Sequence, residues 1–247
     1  MRIRVAVTAH ARPGLDVRQA KLEFDPRVNL HHHPITLGYE AEAIVLEGEV
    51  DSIATKKRAL ELAAGLEGPR RVVDRLRIAP GQRRGDGAIK DSVCASLLGR
   101  VEFRSCSLRA HVGEKVDTVA QVPNAEGEFD VWVADGVVTL DGRVPSLSHK
   151  RLAGVLAWWA PGCRDVVNSL EVFPPEEDND AEVLDALRLA LEIDPVVQAE
   201  QITATCERYH VVLYGYVRNE EERRQVERDA WALFAVDDVT NEIEVRA

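Results

Sequence analysis

Histidine, cysteine and arginine are the residue types here that do chemistry, and their spacing decides what each can do. His31-His32-His33 is the densest run of ring nitrogens. Adjacent side chains in a loop diverge, whereas a metal site needs convergent ligands held by partners behind them. No Cys or carboxylate cluster with ligand spacing accompanies the run, so neither a metal nor a cofactor is expected. Cys94, Cys106, Cys163 and Cys206 form no Cys-x-x-Cys pair. They read as small buried apolar residues of a reducing compartment. His10, His111, His149 and His210 are scattered, and no Ser/His/Asp or Cys/His arrangement is legible. The stretch Gly81–Gly87 has glycines and arginines but lacks the G-x-x-x-x-G-K-[ST] order that cradles phosphate. An enzyme is therefore not expected.

Arginine remains. Arg70, Arg71, Arg75 and Arg77 crowd one strand-like stretch, and Arg83, Arg84 and Lys90 follow. A basic cluster attracts acidic protein or anionic headgroups, each cation near such a membrane contributing about 1 kcal/mol. The chain as a whole is acidic, with 31 basic and 42 acidic side chains and a net charge of −11. That balance disfavours nucleic acid, and an aromatic content of 5% leaves few stacking platforms for single strands. The charge is unevenly divided. Residues 1–90 hold 16 basic and 12 acidic side chains, net +4, and residues 91–247 hold 15 and 30, net −15. An anionic phospholipid or a protein partner thus stays open for the first third. Met1–Thr8 alternates like a strand rather than reading as a signal peptide. No apolar run of about 18 residues predicts a transmembrane helix. A cytoplasmic location is expected.

The elements that position these residues recur three times. Gly48, Gly142 and Gly215 each follow an apolar strand, with Leu46, Leu140 and Leu213 two residues before and Val50, Val144 and Val217 two after. Ser52, Ser146 and Asn219 come next, at positions suited to helix N-caps. Paired cations follow at Lys56-Lys57, Lys150-Arg151 and Arg223-Arg224. An i, i+4, i+7 stripe then predicts one helical face: Ala59, Ala63, Leu66; Ala153, Ala157, Ala160; Val226, Ala230, Leu233. Each copy closes on a strand, over 72–78, 166–172 and 239–245. The glycine lies 28 residues before Leu76, Leu170 and Ile243 in the respective copies. Helices are predicted upstream over Ile89–Leu98 and Ala181–Glu192, with a short, degenerate one over Val17–Phe24. Segment 104–128 reads as an insertion, in the form of a hairpin. The expected class is α+β, with three small α/β-sandwich modules of helix-strand-strand-helix-strand order. Each is a three-stranded sheet on two helices. Their bounds are 1–78 with an N-terminal strand, 86–172 with the insertion, and 180–247.

The closing segments Gly162-Cys-Arg-Asp-Val-Val-Asn168-Ser-Leu170, Val236-Asp-Asp-Val-Thr-Asn241-Glu-Ile243 and Gly68-Pro-Arg-Arg-Val-Val-Asp74-Arg-Leu76 carry a resemblance. With the strand-glycine-helix unit before them, they resemble the BON domain (bacterial OsmY and nodulation) family. The resemblance implies binding to phospholipid surfaces or proteins, without catalysis. It also implies a further alternative, a cation-responsive module like a potassium-binding relative.

Four sets of residues follow as candidates. Asp74, Asn168 and Asn241 sit at matching places and read as structural, like the three glycines. On the opposite face of the closing strands, copy one carries Arg71, Val73, Arg75 and Arg77, extended by Arg70, Arg83, Arg84 and Lys90. Copies two and three carry Asp165, Val167, Ser169, Glu171 and Asp238, Thr240, Glu242, Glu244 there. The basic face is expected to meet anionic lipid or a partner, to self-associate with an acidic module, or to be solvated. Val212, Tyr214 and Tyr216 form a possible docking patch. Trp158, Trp159 and Trp231 read as core or inter-repeat contacts.

Overall fold

The structure is a computed structural model, and it describes residues 25, 28, 34–40, 43–65, 71–113 and 115–246. The expected strand over Met1–Thr8, the short helix over Val17–Phe24, His31–His33, Leu66 and Arg70 lie outside the described residues. Two compact units divide after Ala79.

The first unit holds β1 (Ile35–Glu40), β2 (Ala43–Val50), α1 (Ile53–Ala64) and β3 (Arg71–Ile78). Its sheet runs β1-β2-β3, with β1 antiparallel and β3 parallel to β2. Strand alternation puts Leu37, Ile44, Leu46 and Leu76 on one face, where they pack with Ala59 and Ala63 of α1. The predicted helical stripe therefore covers the sheet.

The second unit opens with α2 (Asp86–Leu98), β4 (Cys106–Val112), β5 (Lys115–Ala120), β6 (Gly127–Ala134) and β7 (Val137–Val144). Then come α3 (Leu147–Trp158), β8 (Asp165–Asn168) and β9 (Glu171–Val172). The third module follows as α4 (Asp180–Ile193), β10 (Ile202–Glu207), β11 (His210–Val217), α5 (Glu220–Ala232) and β12 (Asp238–Val245). Its sheet, β10-β11-β12, repeats the first module's topology. The second module departs from the expected three strands. The segment 104–128 is a hairpin, and it joins the sheet: β4 runs parallel to β6 at its outer edge, and β5 pairs antiparallel with β4. The order becomes β5-β4-β6-β7-β8, with β9 continuing beside β7.

Helix α3 is buried at Leu147 and at every residue from Arg151 to Ala157, almost all round. A helix with one apolar stripe covers one surface, and a helix apolar on every side lies between two. α3 does so: it packs on its own sheet and against α4 and α5. The two modules thus meet through their helices, and their sheets turn the opposite faces outward. Arg151 of α3, fully buried, pairs with Asp178 and donates to the Phe234 carbonyl across this junction. Among the described residues no helix is long and apolar enough to cross a membrane.

The repeated residues have repeated jobs. Ser52, Ser146 and Asn219 accept from the amides of Thr55, His149 and Glu222, as N-caps do. Gly48, Gly142 and Gly215 have φ of +147°, +117° and +127°, and each lets the start of the preceding strand lie against bare backbone. Asn168 donates to the Lys150 carbonyl at 2.7 Å and accepts from the Leu170 amide, pinning the closing strand to the helix. Asn241 does the same with the Arg223 carbonyl and the Ile243 amide. Asp74 accepts from the Leu76 amide but has no proton to donate. Lys56 completes the clamp instead. Its Nζ lies 2.9 Å from Asp74 and donates to the Leu76 carbonyl at 3.0 Å. Lys56→Met should therefore loosen the first module by about 1–2 kcal/mol, and adding Asp74→Asn should recover part of that loss. Hydrogen exchange of the Ile44–Val50 amides measures both.

Candidate binding faces

Arg71, Val73, Arg75 and Arg77 do share the open face of β3. Reading the closing strand alone, however, missed the other half of that face. Register puts Glu47 opposite Arg75 and Glu49 opposite Arg77, and Glu40 of β1 lies on the same side. Glu40 accepts two hydrogen bonds from Arg75, at 2.7 and 2.9 Å, which holds the guanidinium pKa above its usual value. Arg75 and Arg77 thus face Glu47 and Glu49 as favourable cross-strand pairs, Glu40 adds a third carboxylate on Arg75, and Arg71 stands opposite Ala43. The face is charged but locally balanced rather than basic. Arg83, Arg84 and Lys90 belong to the second unit. Arg83 and Arg84 line a recess of about 270 Å³ with Arg164, where Asp86 and Asp135 supply opposing charge. Lys90 is engaged at 2.6 Å with Asp117 of β5.

The hairpin adds two strands that, among the described residues, the sheets of the other modules lack. On the outward face of the six-stranded sheet, register aligns Val116, His111, Trp132, Thr139 and Val167 in one row across five strands. Val116 is 57% exposed, Trp132 43% and Val167 44%. Trp132 stacks on His111 with centroids 3.6 Å apart and planes 10° from parallel. Behind them Arg109 forks onto Asp130, and His111 Nε2 lies 2.7 Å from the same carboxylate. The hydrogen bond from Arg109 holds Asp130 below the usual carboxylate range. The indole is therefore held against the imidazole and half-exposed on a paired strand, a conformation of low entropic cost to bind. Alternation along β4 and β6 was the available signal, since Arg109, His111 and Trp132 fall between apolar residues.

In the third module Val212, Tyr214 and Tyr216 share the outward face, with Arg246 over the Tyr216 ring at 3.3 Å. Asp238, Thr240, Glu242 and Glu244 flank them on β12.

Trp159 lies at the module junction and donates to Asp229 of α5 at 2.9 Å. Asp229 is fully buried, and burial, then the neighbouring Asp194 carboxylate, push its pKa up to about 8. Gln225 donates to both carboxylates. Burial likewise raises the Cys94 and Cys206 thiols to about 11. Among the described residues no group of three or more His, Cys, Asp or Glu is placed to hold a metal ion.

This geometry defines a tandem array of α/β modules whose distinguishing chemistry lies on outward sheet surfaces. The family model described as "BON domain" matches residues 19–80, 107–174 and 179–247, and the chain belongs to the BON domain family, in three tandem copies. That membership suggests a non-enzymatic binding role. None of the curated proteins matches the chain. Among solved structures, it is similar to the C-terminal domain of CdsD, a structural protein of the type III secretion system of Chlamydia trachomatis. The identity is 14%, over 97% of this chain and 100% of that one, with a TM-score of 0.25. A second CdsD structure is 16% identical over 94% and 93% of the two chains, with the same TM-score.

Proposed function

We propose that this chain is a cytoplasmic, non-enzymatic adaptor that binds a protein partner on the outward face of its second module. The row of exposed Val116, Trp132 and Val167 carries this reading. Rigid aromatic and aliphatic groups, centred in a face rimmed by charges such as Arg109, Asp141 and Arg143, are what protein partners anchor on. The four free cysteines support a reducing compartment. The phospholipid reading relied on the arginines of β3, and Glu40, Glu47 and Glu49 offset them on the same face.

The test uses the immobilised full chain to capture partners from cells, beside sedimentation with anionic and neutral vesicles. Trp132→Asp should reduce capture about tenfold or more, the loss of about 1.4 kcal/mol or more typical of a central aromatic anchor. The triple reversal Arg71→Glu, Arg75→Glu, Arg77→Glu should leave capture intact, and the two vesicle types should sediment the protein equally. Sedimentation specific to anionic vesicles and abolished by the triple reversal would favour the lipid reading instead.

A further inference from the structure

The second and third modules differ at one sheet edge. In the second, β4 lies along the outer edge of β6, with Leu108 opposite Phe129 and Ala110 opposite Val131. The inward residues of β6, Phe129, Val131 and Val133, are 2%, 0% and 3% exposed. The matching strand of the third module is β10, an edge strand. Its inward residues Ile202, Ala204 and Cys206 stand at the same distances before the module glycine, and all three are only half-buried.

The helices correspond too. Asp86 at the start of α2 accepts from the turn amides of Asp135 and Gly136, and Asp180 at the start of α4 accepts from those of Arg208 and Tyr209. Counted from these aspartates, Leu187 and Leu191 take the places of Val93 and Leu97, and Leu184 takes that of Lys90. Lys90 reaches over to Asp117 of the hairpin. Among the described residues Leu184 has no such strand beside it, and it lines a groove of about 420 Å³ with Leu187, Leu191, Ile202 and Ala204. Asp185, Glu192 and Glu200 edge the groove, and its one arginine, Arg188, is paired with Glu192.

We infer that this groove is a strand-docking site. It takes an extended segment of a partner protein, paired parallel to β10 as β4 pairs with β6. The strand edge, unpaired among the described residues, supplies main-chain hydrogen bonds, and the groove selects alternate side chains. Cys106, Leu108 and Ala110 show the type that fits: small to medium apolar residues at every second position. The positions between them point to the outward face, where β10 carries Thr203, Thr205 and Glu207, so polar or basic residues fit there, as Arg109 and His111 alternate in β4. This edge is separate from the row around Trp132, so either site can fail without the other.

The probe is a fluorescent peptide of sequence 105–113 with Ser in place of Cys106, titrated into the full chain and followed by anisotropy. Saturable binding is expected, with amide shifts centred on Ile202–Glu207. N-methylating the alternate amides that point toward β10 should weaken binding about tenfold or more, because each removes a main-chain hydrogen bond. Methylating the other alternate set should change it by no more than about twofold. Ala204→Trp, which fills the groove, should abolish binding. Because that variant risks misfolding, the peptide comparison decides independently. Absence of saturable binding, or equal effects of the two methylation sets, would overturn the site. Concentration-dependent dimerisation through β10 would overturn the assignment to a partner segment by giving the groove to a second copy.

Discussion

Gly215→Ala should unfold or severely loosen the third module. A β-carbon there would sit 2.0 Å from the Gln201 carbonyl oxygen, and the backbone φ is +127°. Holding a non-glycine residue in such a conformation costs about 1–3 kcal/mol. Forcing the strand start away adds about 1–3 kcal/mol more. The loss is comparable to much of a domain's net stability. Gly142→Ala meets the Glu128 carbonyl oxygen at 2.4 Å and should act likewise on the second module. Gly38→Ala is the control, since a β-carbon there has nothing within 4 Å. Urea unfolding of the three variants should place Gly215→Ala and Gly142→Ala far below wild type and Gly38→Ala close to it. Equal, small effects at Gly215 and Gly38 would contradict the close approach of strand and glycine.

The second large effect concerns pH. Asp229 is buried beside Asp194 and has a pKa of about 8, against 3.8 for a free side chain. The folded state therefore holds a proton that the unfolded chain releases near pH 4. This group leaves stability undiminished below pH 4. Stability then declines as pH rises toward 8, by about 1.4 kcal/mol per pH unit, and levels off above it. Asp229→Asn imitates the protonated carboxyl: its amide oxygen accepts from Trp159 and Gln225, and its NH₂ donates toward Asp194. The variant should be more stable than wild type at pH 8 by several kcal/mol on that slope, and little different below pH 4. Denaturant unfolding across this range, followed by tryptophan fluorescence, measures the difference. Parallel curves for the two proteins would show that Asp229 is already ionised in the folded state.

The modules were legible because their tightest backbone constraints demand particular residue types. Positive φ against a neighbouring strand needs glycine, a free helix start needs Ser or Asn, and the strand-to-helix clamp needs an amide. These constraints are local, so they recur at equal spacing whatever the surface does. The clamp of the first module was half legible: Asp74 stood out, but its dependence on Lys56 required the fold. The hairpin 106–120 was visible as a hairpin, and its docking beside β6 was not. Its pairing is long-range, and it has no sibling in the other copies. The charge of the first module's open face was misjudged for a related reason. Arginines on one strand are adjacent in sequence, whereas Glu40, Glu47 and Glu49 reach the same face only through the register of β1 and β2. The Asp229–Asp194 pair lies between α5 and the turn after α4, a proximity that residue spacing does not encode.

The partner-binding face can be tested site by site by photo-crosslinking in cells. A photoreactive residue replaces Val116, Val167, Arg71 or Arg77 in turn within the full chain. Val116 and Val167 end the row centred on Trp132, and Arg71 and Arg77 end the face of β3. The expected result is a discrete protein adduct from Val116 and Val167, lost when Trp132→Asp is added, with none from Arg71 or Arg77. Adducts confined to Arg71 and Arg77, or lipid adducts at those positions, would contradict it.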